Sequence, residues 1–104
     1  MTNELKNEVE LRDLIFDYLK RKYFIVIRDQ QGTHHPRSGR IKGQKGVSDI
    51  WGVTRSGQFF AVEVKNPNGG GRVTKEQELF LAKVNGSKGI GIVANCLEDV
   101  MECL

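Results

Sequence analysis

Long apolar runs are missing from this sequence. None approaches the roughly 18 residues that a membrane-spanning helix requires, so no span is expected. The opening MTNELKNEVE is polar, which speaks against a signal peptide and for a cytoplasmic protein. Cysteine is scarce. Cys96 and Cys103 are seven positions apart; on a helix they would stand two turns apart, too far to bridge each other. Both are expected to be reduced core residues. Acidic charge is slightly short, with 13 Asp and Glu against 16 Lys and Arg, a net +3 that says little about partners by itself. Apolar residues are not short: 38% hydrophobic content excludes disorder over most of the length. A chain of 104 residues is expected to form one domain, 1–104, small enough to gain from self-association.

The basic excess is concentrated. Between Arg28 and Lys45, Arg28, Arg37, Arg40, Lys42 and Lys45, with His34 and His35, face a single acid, Asp29, and all but Arg28 fall in one segment. That segment, DQQGTHHPRSGRIKGQKG, is rich in glycine and nearly free of apolar residues. It predicts a long loop, with room for a short strand near Thr33 to Pro36. Loops of this length are usually functional or disordered, and the charge favours a surface that contacts nucleic-acid phosphates. The histidines with either cysteine fit no zinc spacing. GRIKGQKG lacks the Gly-x4-Gly-Lys-Ser/Thr pattern, so no nucleotide cofactor is expected.

Around this loop the patterns are regular. Leu11, Leu14, Ile15, Tyr18 and Leu19 fit a helical stripe, predicting a helix from about Asn3 to Arg21. Tyr23 to Arg28 reads as a strand. SDIWGVTRSGQFFAVEVK reads as a hairpin turning at Arg55-Ser56-Gly57, with Gly57 in the left-handed position. Thr74 and Gln77 have the spacing of a capping box for a helix whose face carries Phe80, Leu81 and Val84. Ile90 to Ala94 reads as a buried strand. Asn95 is placed to cap a last helix, Cys96 to Leu104, with Leu97, Val100, Met101 and Leu104 inward. The expected order is α-β-(β)-β-β-α-β-α, an α/β layer arrangement on one mixed sheet.

A three-residue turn sets Asp49 opposite Glu63, and Lys65 then projects from the same face. A two-residue turn would send the carboxylates to opposite faces. Charge at the end of buried strands is costly unless paired or bound to a metal. Hydrolysis of a phosphodiester calls for a cation that clamps the phosphate and acidifies a water, and magnesium takes oxygen ligands. Asp49 and Glu63 could share such an ion, the Val64 carbonyl could add a ligand, and the Lys65 ammonium could orient the water. Two plainer readings stand beside this one. Asp49 could cap a turn above an exposed polar face, although FFAVEVK alternates too little for a solvated strand; or the three charges could form a buried salt bridge.

NEVELRDLIFDYL, GQKGVSDIWG, GQFFAVEVK and TKEQELFL, in that order, resemble the virus-type replication-repair nuclease (VRR-NUC) branch of the PD-(D/E)XK nuclease superfamily. The resemblance covers essentially the whole chain. It implies a restriction-endonuclease-like core and a DNase using Mg2+ or Mn2+. Its helical glutamate falls on Glu8, its Asp and Glu-x-Lys on Asp49, Glu63 and Lys65, and its downstream glutamine on Gln77. Ser48 stands where the superfamily name has proline. Glu8 lies roughly 50° from the centre of the helix's apolar face, within inward reach, while Glu4 and Glu10 remain alternatives. Minimal members of the branch resemble dimeric Holliday-junction resolvases, so four-way DNA junctions and a homodimer are the expected partners. A flap or nicking endonuclease, or a catalytically silent DNA-binding module, are the alternatives.

Overall fold

A computed structural model describes residues 7–28, 47–69 and 72–104. The elements are α1 (Glu8–Lys22), β1 (Ile25–Arg28), β2 (Ile50–Val53), β3 (Phe59–Val64), α2 (Lys75–Gly86), β4 (Ile90–Ala94) and α3 (Leu97–Met101). The sheet order is β1-β2-β3-β4, with β1, β2 and β3 antiparallel and β4 parallel to β3. The expected α/β class with a mixed sheet flanked by helices is therefore present. The short strand expected near Thr33 to Pro36 lies outside the described residues.

α1 starts at Glu8; the expected start at Asn3 lies outside the described residues. Asn7 is extended, and its side chain accepts from the Glu10 amide at 2.9 Å, which satisfies one of the first turn's free N–H groups. Glu8 and Glu10 in the first turn and Lys20, Arg21 and Lys22 in the last complement the helix dipole. Leu11, Ile15 and Leu19 are fully buried against the sheet. Leu14, turned about 100° from Ile15, is exposed, so the buried stripe is narrower than the sequence suggests. Tyr23 ends the helix, leaving β1 shorter than the expected strand. Its hydroxyl donates to the main-chain oxygen of Leu104 at 2.6 Å and ties the C-terminus to the core.

The hairpin has the predicted turn. Gly57 takes φ +90° and donates to the Thr54 carbonyl at 2.9 Å. The register follows: Val53 faces Phe59 and Trp51 faces Ala61. The sheet then has two apolar faces. One packs Phe60, Val62, Val64 and Ile92 against α1 and α3. The other packs Ala61 against Leu81 and Val84 of α2, with Trp51, Phe59 and Phe80 partly buried beside them.

The C-terminal helix differs from expectation. α3 has only five residues, and its N-cap is Cys96, without a side-chain cap bond. Asn95 does not cap it: its amide donates to Asp99 at 2.9 Å, so the bond runs from the chain before the helix into its first turn, and no side chain caps the first-turn N–H groups. Met101 is exposed, Cys103 is exposed and Cys96 is half-buried. Both thiols are free, as expected, but neither is a core residue, because the chain turns away after one helical turn.

Gly52 marks the tightest strand approach. A Cβ there would overlap the Ile25 carbonyl oxygen and stand 2.7 Å from Cζ of Phe60. A backbone atom cannot yield as a side chain can. Gly52→Ala is expected to cost roughly 3 kcal/mol and lower the melting temperature by on the order of 10 °C. Gly86→Ala, where nothing lies within 4 Å, is the control and is expected to be neutral or stabilising in thermal and urea unfolding.

Candidate active site

Four elements meet at one end of the sheet. β3 runs out through Glu63 and Val64 into Lys65, and β2 begins one residue after Asp49. α2 enters with Gln77 in its first turn, and α1 contributes Arg12 from its N-terminal half. Asp49 lies just beyond the paired ladder. Its Oδ2 accepts from the Val64 amide at 2.9 Å, taking the place of the next main-chain partner. A strand residue's N–H and C=O point to the same side, so the Val64 carbonyl also faces the Asp49 end.

Glu63 is the most enclosed charged group described, at 2% exposure, followed by Lys65 at 8%. One carboxylate oxygen, Oε2, accepts from Gln77 Nε2 at 2.9 Å and lies 3.4 Å from Lys65 Nζ. The other, Oε1, is buried without a partner. Gln77 Oε1 in turn accepts from Lys65 Nζ at 3.2 Å and from the Thr74 amide at 2.8 Å. The Thr74 hydroxyl accepts from the Gln77 amide at 3.1 Å, completing the expected capping box. Gln77 is thus both the helix cap and the fork that orients the carboxylate and the ammonium.

Burial pushes the Glu63 carboxyl up to about 8, the nearby Asp49 charge pushes the same way, and Lys65 opposes both. Two carboxylates in one low-dielectric site cannot both ionise cheaply. A divalent cation reverses that balance. The donor set fits a hard ion: two carboxylates and a carbonyl, all oxygen, with one buried acceptor lacking a donor. Among the described residues no three His, Cys, Asp or Glu side chains converge as a cluster that could hold a metal.

Not every expected site residue joins this group. Glu8 Oε2 pairs with Arg12 at 3.0 Å, and Arg12 Nε lies 3.7 Å from Asp49 Oδ1. A guanidinium therefore bridges Glu8 and Asp49. Arg28, expected on DNA, pairs with Asp13 and stacks over Phe16 at 4.9 Å. His34, His35, Arg37, Arg40, Lys42 and Lys45 lie outside the described residues. Arg12 was missed in the sequence, although its i+4 spacing from Glu8 was a signal for a helical ion pair. Ser48, fully buried with an unpartnered hydroxyl, was noted only as a replacement for proline.

The family model described as the VRR-NUC domain matches residues 25–98, most of the chain. No curated protein and no solved structure matches it. Asp49, Glu63, Lys65 and Gln77 fall inside the matched span and Glu8 outside it. The VRR-NUC domain has a restriction-endonuclease-like fold, and the mixed sheet between helices agrees with it.

The raised Glu63 carboxyl links stability to pH. In metal-free protein the neutral form suits the fold. Its contribution is fully present below the unfolded value of about 4.5 and is lost as pH rises through about 8. Urea midpoints of the parent minus those of Glu63→Gln are therefore expected to fall across that window. Divalent metal is expected to restore the parent at the alkaline end, and not the variant. A difference that stays flat with pH would contradict the burial argument.

Proposed function

The chain belongs to the VRR-NUC domain family, and from that premise we propose that it is a divalent-metal-dependent, structure-selective DNA endonuclease that resolves four-way junctions as a homodimer. The family makes it a nuclease of the PD-(D/E)XK type. One observation supports the metal-dependent part of this reading. Asp49 and Glu63 meet across the β2–β3 hairpin, close enough for Asp49 to raise the Glu63 carboxyl, and Lys65 Nζ stands 3.4 Å from Glu63 Oε2.

Asp49, Glu63 and the Val64 carbonyl would hold Mg2+ or Mn2+; Glu8, paired with Arg12 in this structure, would have to exchange that partner to serve as a further carboxylate from α1. When bound, the ion supplies Lewis-acid polarisation of the phosphate and a more acidic water. The chain's own groups do the rest. Gln77 fixes the Glu63 carboxylate and the Lys65 ammonium relative to each other. Lys65 offers a positive hydrogen-bond donor to a water or to the charge that develops on phosphate oxygen, in a site with little water to screen it. Because Glu63 must be ionised to bind metal, loading releases a proton below about pH 8. Arg28, His34, His35, Arg37, Arg40, Lys42 and Lys45 form the proposed grip on the DNA backbone, with affinity that falls steeply as salt rises. Symmetric cutting of a junction takes two sites related by a two-fold axis, hence a homodimer. A cytoplasmic protein acting on intracellular DNA is consistent with the free thiols.

A panel of four-way junction, flap and plain duplex, assayed with magnesium and with manganese beside a solution mass measurement, tests this. The expected result is a homodimer that cuts the junction in a metal-dependent way. Lys65→Ala is expected to slow cutting by about a hundredfold to ten-thousandfold, and Glu63→Ala to abolish it. Junction binding is expected to survive both changes. Variants that cut like the parent would overturn the assignment; preference for the flap would move it to another substrate of the same class.

A further inference from the structure

We propose that the notch between Val47, Trp51, Phe59 and Phe80 receives a nucleobase that the substrate DNA presents unstacked beside the bond to be cut. This rests on the endonuclease reading above and adds what that reading does not contain, a physical source of structure selectivity. The notch has a volume of about 300 Å³, and the four described residues that line it are all apolar, three of them aromatic. The Trp51 and Phe59 ring centroids are 6.0 Å apart, with the planes tilted by 33°. Each aromatic ring is partly buried against Ala61, Leu81 and Val84, leaving the rest open to the notch.

Position selects the occupant. Trp51 follows Asp49 by two residues, and Ala61, its partner across the hairpin, precedes Glu63 by two. Strand alternation puts them on the face that carries the carboxylates. The offset is roughly 7 Å along the strand, about two base steps of a stacked duplex. DNA lying on the carboxylates therefore brings a nearby base to the notch. Bases inside a continuous duplex have both faces covered by neighbours and nothing to offer an aromatic wall. A base at a branch point, flap or strand end can be turned out, and stacking on an aromatic side chain then offsets the unstacking. Among the described residues the lining side chains offer no edge-specific hydrogen bond, so these walls read whether a base is unstacked and not which base it is.

Trp51 is the single tryptophan, so its emission reports the notch. The full chain in metal-free buffer is titrated with a four-way junction, a single strand and a plain duplex, with saturation followed by anisotropy. Junction and single strand are expected to quench Trp51 emission strongly, and duplex weakly at equal saturation. No junction binding, or a quench no larger than that of duplex, overturns the proposal. So does an emission change with protein concentration alone, which would mark a second copy as the occupant. Phe80→Leu keeps apolar bulk but removes a ring; with unfolding checked, its junction-over-duplex cutting ratio is expected to fall about tenfold, and an unchanged ratio overturns the proposal. The two readings fail separately. Junction-selective quenching without cutting in either metal sinks the endonuclease reading alone, while cutting that depends on Lys65 with no selective quench sinks the base notch alone.

Discussion

A carboxylate buried at the end of an apolar strand is the constraint around which this fold is arranged. Glu63 follows residues whose side chains fill the two faces of the sheet, and it is nearly as enclosed as they are. Burying such a group without partners would cost several kcal/mol. The surroundings offset part of that cost through Gln77 and Lys65 on one oxygen and leave the other without a donor. A site built only for stability would have satisfied both oxygens or used an apolar residue. Incomplete compensation, together with Asp49 beside it, supports the proposal that this carboxylate pair takes up a cation.

The rest of the architecture fixes this group in place from two sides. Gly57 lets the hairpin close in a three-residue turn, which sets the register that brings Asp49 to Glu63. Asp49 is then pinned by the Val64 amide on one oxygen and approached by Arg12 on the other. Charges alternate along the path from Glu8 through Arg12 and Asp49, and again from Glu63 to Lys65. Such a chain is held by mutual polarisation in low dielectric, so a change at one member is felt by its neighbours. α1 thus reaches Asp49 through the Arg12 guanidinium, whose other side holds Glu8.

Much of this was legible in the sequence because the deciding residues act locally. Gly57 is a turn residue with a backbone reason, and the spacing from Thr74 to Gln77 is a capping signature; both could be read without knowing what surrounds them. The ordered motifs around Asp49, Glu63 and Lys65 carried the family likeness, and the family match agrees. What was not legible depends on which layer covers which residue. Leu14 and Met101 fit a helical stripe but meet no neighbour wide enough to bury them. Cys103 looked internal because cysteine usually is, yet α3 ends before reaching it. Arg12 went unread, because only the folded chain brings Asp49 against its other side.

Gln77 shows why a local explanation and a functional one need not compete. The capping box alone accounts for a glutamine at this position, and both of its reciprocal bonds are present. The capping bond uses one lone pair of Oε1, leaving the second for Lys65 and the amide nitrogen for Glu63. The geometry that starts α2 therefore also sets the angle between carboxylate and ammonium. A glutamate in the same position would cap the helix equally well, but it could not donate to Glu63 and would add a third negative charge to a pocket that already resists two. The choice of amide over acid is where the demands of the helix end and those of the site begin.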